Sequence, residues 1–88
     1  MTHDEFISDL RAGGFQEPVT VQREAGGFLD THAHPFEAKA LIVAGELSIC
    51  TAAQDRLYQV GEVFHLARDL PHTERYGPAG VTYEVGRK

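Results

Sequence analysis

Apolar positions recur along the chain with two different periods. Near the amino terminus Phe6, Ile7 and Leu10 fall at helical spacing. Thr2 with Glu5 three residues on makes a capping-box pattern, and Gly13-Gly14 ends the run, so the spacing predicts a helix over about 2–12. About three turns are too few to stand alone, and this helix needs a surface to lie on. From Phe15 onward the period is two. In residues 18–24, Val19, Val21 and Arg23 alternate with Thr20, Gln22 and Glu24, as in an outer or edge strand. Further strands are predicted over 28–32, 38–44, 47–51, 56–60, 63–66, 71–76 and 81–85. Gly26-Gly27, Gly45-Glu46, residues 52–55, Gly61-Glu62 and residues 77–80 supply the turns between them. The 38–44 run is nearly all apolar, which predicts cover on both its faces. About eight short strands with turn signals every eight to twelve residues make an all-β sandwich or barrel.

Composition narrows the picture. Eighty-eight residues make one domain, 1–88, with apolar content of 42%, normal for a folded chain. A domain this small buries a modest fraction of its surface and gains from a metal, a ligand or a second copy; a homodimer is expected. Eight Lys and Arg against thirteen Asp and Glu leave a net charge of −5, which argues against nucleic acid and against an anionic membrane surface. Cys50 is the single cysteine, so no internal disulfide can form. The first residues, with Asp4 and Glu5, do not read as a signal peptide, and no apolar run has transmembrane length. The expected location is the cytoplasm.

The candidate chemistry is centred on residues 26–46. His32 and His34 lie two residues apart on a predicted strand, so they point the same way with Cα atoms about 6.5 to 7 Å apart. Two imidazoles at that spacing can share one divalent ion at about 2.0 to 2.1 Å per nitrogen. A lone His-x-His is more often solvated or hydrogen-bonded, so the pair needs support from elsewhere in the chain.

Two motifs supply it. Gly26, His32, His34 and Gly45 match a pattern of glycine, five residues, His-x-His and a later glycine; Gly61 and His72 match a second pattern of glycine followed at fixed spacing by histidine. In this the chain resembles the cupin superfamily over residues 18–86. The run HPFEAKALIVAGEL, the Pro71-His72 pair and the ending GPAGVTYEVGR are similar to very small single-domain cupins and to the ligand-binding domain of arabinose-type transcription regulators. The resemblance implies a small jelly-roll barrel over about 18–86 behind the short helix, with His32, His34 and His72 at its mouth. It departs from the family where the first motif's glutamate falls on Ala38 or Lys39, and where the second motif's proline and glycine are Ala67 and Asp69.

Three neutral imidazoles suit a divalent transition metal, Zn, Ni, Fe(II) or Cu, and leave positions open for a ligand. Glu37 or Glu74 is the possible fourth ligand. Glu74 shares the face of His72 and is equally a tautomer-fixing acceptor, a general base and so the one catalytic candidate, or the partner of a rim arginine. Lys39 either enters the pocket or snorkels to the surface. Phe36 is expected to plug the barrel beside the histidines, and Tyr76, on the parity of His72 and Glu74, to face the pocket. Ala40, Ile42, Leu47 and Phe64, or their opposite-face neighbours, are expected to line it. His65 faces outward, His3 is solvated, and Cys50 is a buried or half-buried thiol. The functional expectation is a metal-binding module that binds or senses a small molecule; the alternative is a small metal-dependent dioxygenase, isomerase or lyase acting on a polar or carboxylated molecule.

Overall fold

The computed structural model describes residues 1–88. Helix α1 (His3–Ala12) begins where the capping box predicts: the Thr2 hydroxyl accepts from Glu5 N at 3.2 Å, and the Glu5 carboxylate accepts from Thr2 N at 3.1 Å. Its buried residues, Phe6 and Leu10, pack on Leu41 with Ile7, Phe15 and Val63 around them. Six strands follow: β1 (Val19–Arg23), β2 (Phe28–His32), β3 (Ala38–Cys50), β4 (Asp55–Gln59), β5 (Val63–Leu66) and β6 (His72–Arg87). No helix is long and apolar enough to cross a membrane.

The two long strands organise everything else. β3 and β6 run antiparallel from Ala38↔Arg87 to Cys50↔Thr73. β1 and β5 flank one half of this ribbon, pairing with Val81–Val85 and with Ala38–Leu41. β2 and β4 flank the other half, pairing around His72–Arg75 and with Glu46–Cys50. The result is two four-stranded layers, β1-β6-β3-β5 and β2-β6-β3-β4, that share their middle strands. Both layers contribute to one core: Ala38, Ala40, Ile42, Phe64, Val81, Tyr83 and Val85 from the first meet Leu47, Ile49, Tyr58 and Tyr76 from the second. This is a jelly roll whose edges do not close, since β1, β2, β4 and β5 each pair on one side only.

Eight separate strands were expected and six are found. Residues 38–44 and 47–51 are one strand, as are 71–76 and 81–85. The glycines between them act as corners within a strand and not as turns. Gly45 has φ 70° and Gly80 φ 74°, and the register shifts between Ile42 and Ala44 and between Gly45 and Leu47. Bulges of this kind bend a strand while keeping most of its ladder, so each long strand passes from one layer to the other without a loop. The hairpin at 52–55 lacks an Asn-Gly pair; the Thr51 hydroxyl holds it instead, accepting from Ala53 N and Gln54 N at 3.2 Å each. The cover expected on both faces of residues 38–44 extends only over 38–42, Ala38, Ala40 and Ile42 facing the core and Leu41 lying under α1; Val43 is exposed on the outer side, past the end of the helix contact.

Candidate functional site

The second layer carries two inward residues at the start of β6, His72 and Glu74, only 2% and 7% exposed. His32, at the end of β2, lies directly opposite His72 in the ladder. His34 follows in the loop before β3, stacked on Phe36 with centroids 4.9 Å apart. The three imidazole centroids are 4.2, 4.9 and 5.4 Å from one another. One potential ligand atom from each of His32, His34, His72 and Glu74 lies within 4.8 Å of all the others. Strand alternation pairs His32 with His34 and His72 with Glu74; the antiparallel ladder brings the two pairs together.

Backbone carbonyls set the tautomers. His32 Nδ1 is 2.7 Å from the Asp30 carbonyl and His72 Nδ1 is 2.9 Å from the Leu70 carbonyl. A carbonyl only accepts, so each Nδ1 carries a proton and donates it, which leaves Nε2 of the neutral ring with its lone pair turned into the group. Both Nε2 atoms are buried without a hydrogen-bond partner. They face the same Glu74 oxygen, at 3.1 Å from His32 and 3.3 Å from His72. Two lone pairs and a carboxylate turned on one point repel each other unless a cation sits among them. The spacing matches the roughly 3.3 Å edge of a tetrahedron built from bonds of about 2.0 to 2.1 Å. The donor set therefore fits a divalent metal. At His34 burial, then the neighbouring His32 and His72, push the pKa below the ordinary value, against the pull of Glu74, which favours the neutral ring.

The loop after β5 holds the group together. Asp69 adopts φ 60° and its N–H donates to the His34 carbonyl at 2.7 Å, while Leu70, next along, supplies the carbonyl for His72. Asp69 stands where the resembled motif has glycine; aspartate is among the few residues that accept a left-handed backbone.

A cavity of about 80 Å³ opens beside the four groups. Phe36, Ala38, Phe64, Leu66, Tyr83 and Val85 form its apolar walls, and Arg23 and Arg87 also line it. Sequence reasoning did not single out Arg23, Tyr83 or Arg87. The available signal was parity, because Arg23 shares its face with Val21, and Arg87 with Tyr83 and Val85, all packed on the core. Burial, then the charge of Glu74, pushes the Tyr83 phenol up to about 12. A raised folded-state value favours the protonated form, so this stabilisation is full below pH 10 and is lost as pH rises through about 12. Denaturation midpoints should fall across that window, and Tyr83→Phe should flatten the fall; an equal slope in the variant would place the titration elsewhere.

Several expected site residues lie elsewhere. Glu37 pairs with the exposed His65 on the outer surface and is not near the imidazoles. It precedes the inward Ala38, so strand alternation turns it out. Lys39 is outside the pocket for the same reason, its Nζ 2.5 Å from Asp9 of α1. Tyr76 is buried in the core and feels Glu74, which together with burial raises its pKa, but it does not line the cavity. Ala40, Ile42 and Leu47 are sealed in the core below the cavity, and of the expected walls only Phe64 reaches it. Cys50 is exposed, because Leu47 and Ile49 face the core and alternation turns Cys50 to the outer face of the second layer. His3 pairs with Glu84 at 2.5 Å and so is not simply solvated.

No protein-family model and no curated protein matches the sequence. Solved structures do match the fold. An RmlC-like cupin from Shewanella frigidimarina superposes with TM-score 0.67 at 17% identity, covering 80% of this chain and 63% of its own. The DMSP lyase DddQ from Ruegeria pomeroyi gives TM-score 0.71 at 24% identity, covering 78% of this chain and 36% of its own. A protein of unknown function from Rhizobium leguminosarum gives 0.72 at 16% identity over 99% of this chain and 93% of its own. The chain thus spans less than two thirds of the first two structures. With two long bulged strands shared between its layers and these neighbours, the chain has the cupin jelly-roll fold.

Proposed function

We propose that the chain is a metal-binding module whose four ligands are His32, His34, His72 and Glu74, and that it takes up a small polar molecule in the adjoining cavity. The observation that carries this reading is the pair of buried, unpartnered Nε2 atoms aimed at one carboxylate oxygen. A single proton between His32 and Glu74 would satisfy one of those contacts and leave the His72 lone pair unmatched. A divalent ion answers all of them. Glu74 takes the place of the carboxylate that Lys39 and Ala38 do not provide. Zinc, nickel, iron(II) and copper all accept this nitrogen-rich set, and six-coordinate ions keep two positions for an exogenous ligand.

Binding without turnover is the preferred reading. Besides the four ligands, the titratable groups lining the cavity are two arginines and a tyrosine held protonated, so no free base is at hand. The alternative, a small metal-dependent enzyme, rests on the ion itself supplying Lewis acidity and on likeness of fold to a DMSP lyase. The partly exposed apolar residues Phe28, Leu29, Leu57 and Val60 on the edge strands β2 and β4 and the turn after β4 support association of two copies.

Elemental mass spectrometry on protein purified without chelators should find near one transition-metal ion per chain. Glu74→Gln should lower the affinity at least about tenfold. A folded protein that takes up none of the four metals overturns the reading. Saturable binding of small acids or polyols without product supports a binding module, and turnover would shift the conclusion to the enzyme.

A further inference from the structure

The two arginines of the cavity have no role in holding the ion. Arg23 ends β1 and Arg87 ends β6, both on inward positions of the first layer, facing the ligand group across the cavity. Neither guanidinium has a carboxylate within 4.0 Å, in a chain of net charge −5 with acids to spare. Arg23 is exposed and makes a long side-chain hydrogen bond, 3.3 Å to the Gln22 carbonyl, beside the Tyr76 side chain. Arg87 lies over the Phe36 ring, 5.4 Å from its centroid, and Phe36 is in turn stacked on His34. That packing holds the guanidinium in place while leaving its N–H donors unspent. One carboxylate, Glu74, thus stands against the proposed divalent ion, the stacked Arg87 and the more exposed Arg23 around a small, half-enclosed space, and an anion entering it would balance the charge.

From this arrangement we infer that the molecule taken up is a small carboxylic acid. Its carboxylate pairs with Arg87, with Arg23 adding a second, longer-range attraction, and its polar far end reaches the open positions of the ion. The inference rests on the metal reading for that far end and for the ion's share of the charge; the pairing with Arg87 stands without it. Carboxylate fits better than a neutral polyol because a planar guanidinium offers two parallel N–H donors that a hydroxyl cannot match. Size sets a second limit. A cavity of about 80 Å³ has room for roughly three waters, so only a molecule of a few heavy atoms enters whole.

Glycolate and its neutral isostere glycolamide test this, titrated into zinc-loaded, 15N-labelled protein while amide shifts are followed. Glycolate should saturate with shifts around His34, Phe36, Val85 and Arg87, and glycolamide should bind at least tenfold more weakly. Arg87→Gln should weaken glycolate about tenfold or more, Arg87→Lys less, and Arg23→Gln about threefold, all with zinc content unchanged. Equal affinity for glycolate and glycolamide, unchanged affinity in Arg87→Gln, or no saturable shift in zinc-loaded protein would overturn the inference and leave the metal reading intact. Should the protein take up no metal, the same titration on the metal-free chain decides: a preference for glycolate that disappears in Arg87→Gln supports the carboxylate pocket while the metal reading falls.

Discussion

Replacing His72 with alanine should abolish metal retention. His72 is the most deeply buried of the four ligands, and its ring is held by the Leu70 carbonyl at Nδ1 and lies against the His32 ring, centroids 4.2 Å apart. Nothing else within the group can swing into its place, because Glu74 already faces His32 and Glu37 is turned outward to His65. Loss of an outer hydrogen bond to a ligand typically costs ten- to hundredfold in metal affinity, so loss of the ligand itself should exceed about a hundredfold. His65→Ala is the matching control, an exposed histidine whose partner lies outside the site. Equilibrium dialysis against zinc, with circular dichroism to show that both variants remain folded, checks the pair. Retention in His72→Ala equal to that of His65→Ala would mean that the ion sits elsewhere.

The same ligand group shows what could be read from the chain alone. Alternation placed His32 beside His34 and Glu74 beside His72, since both relations are local and obey the period of a strand. It could not place the first pair against the second, because that depends on the register of β2 against β6, a long-range property that the family resemblance supplied. Lys39 and Glu37 follow the same local rule: His32, His34, Phe36, Ala38 and Ala40 share one parity and all face inward through the loop containing Pro35, so positions 37 and 39 face out and only the family pattern pointed to them. Cys50 shows a third limit: alternation said which side it points to, but whether anything covers that side is a matter of layer size. The arginines were legible in part, since Arg23 had been set on the face of Val21. Charge on an inward face reads as the end of a strand unless a cavity lies beside it, and the cavity exists only in three dimensions. The strand count differs because Gly45 and Gly80, which read as punctuation between strands, lie within them and make the fold's corner.

That corner bears on the second large effect. Gly45→Ala should cost at least about 4 kcal/mol, beyond the ordinary range for single substitutions. A Cβ at Gly45 would lie 2.1 Å from the Gly80 carbonyl oxygen and 2.8 Å from its carbon, backbone atoms with no rotamer to escape through. The φ of 70° adds the left-handed penalty, on the order of 1 kcal/mol. Gly26→Ala separates the two terms: Gly26 has nearly the same φ, 66°, and an added Cβ would meet nothing within 4 Å. Urea denaturation should show a small loss for Gly26→Ala and a loss several times larger for Gly45→Ala, and equal losses would show that the contact between the two strands carries no weight. The corner also makes the site. Because β6 bends where Gly45 and Gly80 meet, its first half brings His72 and Glu74 into one layer, while its second half carries Tyr83, Val85 and Arg87 in the other. The cavity lies between these two halves of a single strand. Any Gly45 variant that stays folded by opening the corner should therefore hold its metal more weakly, with every ligand still in the sequence.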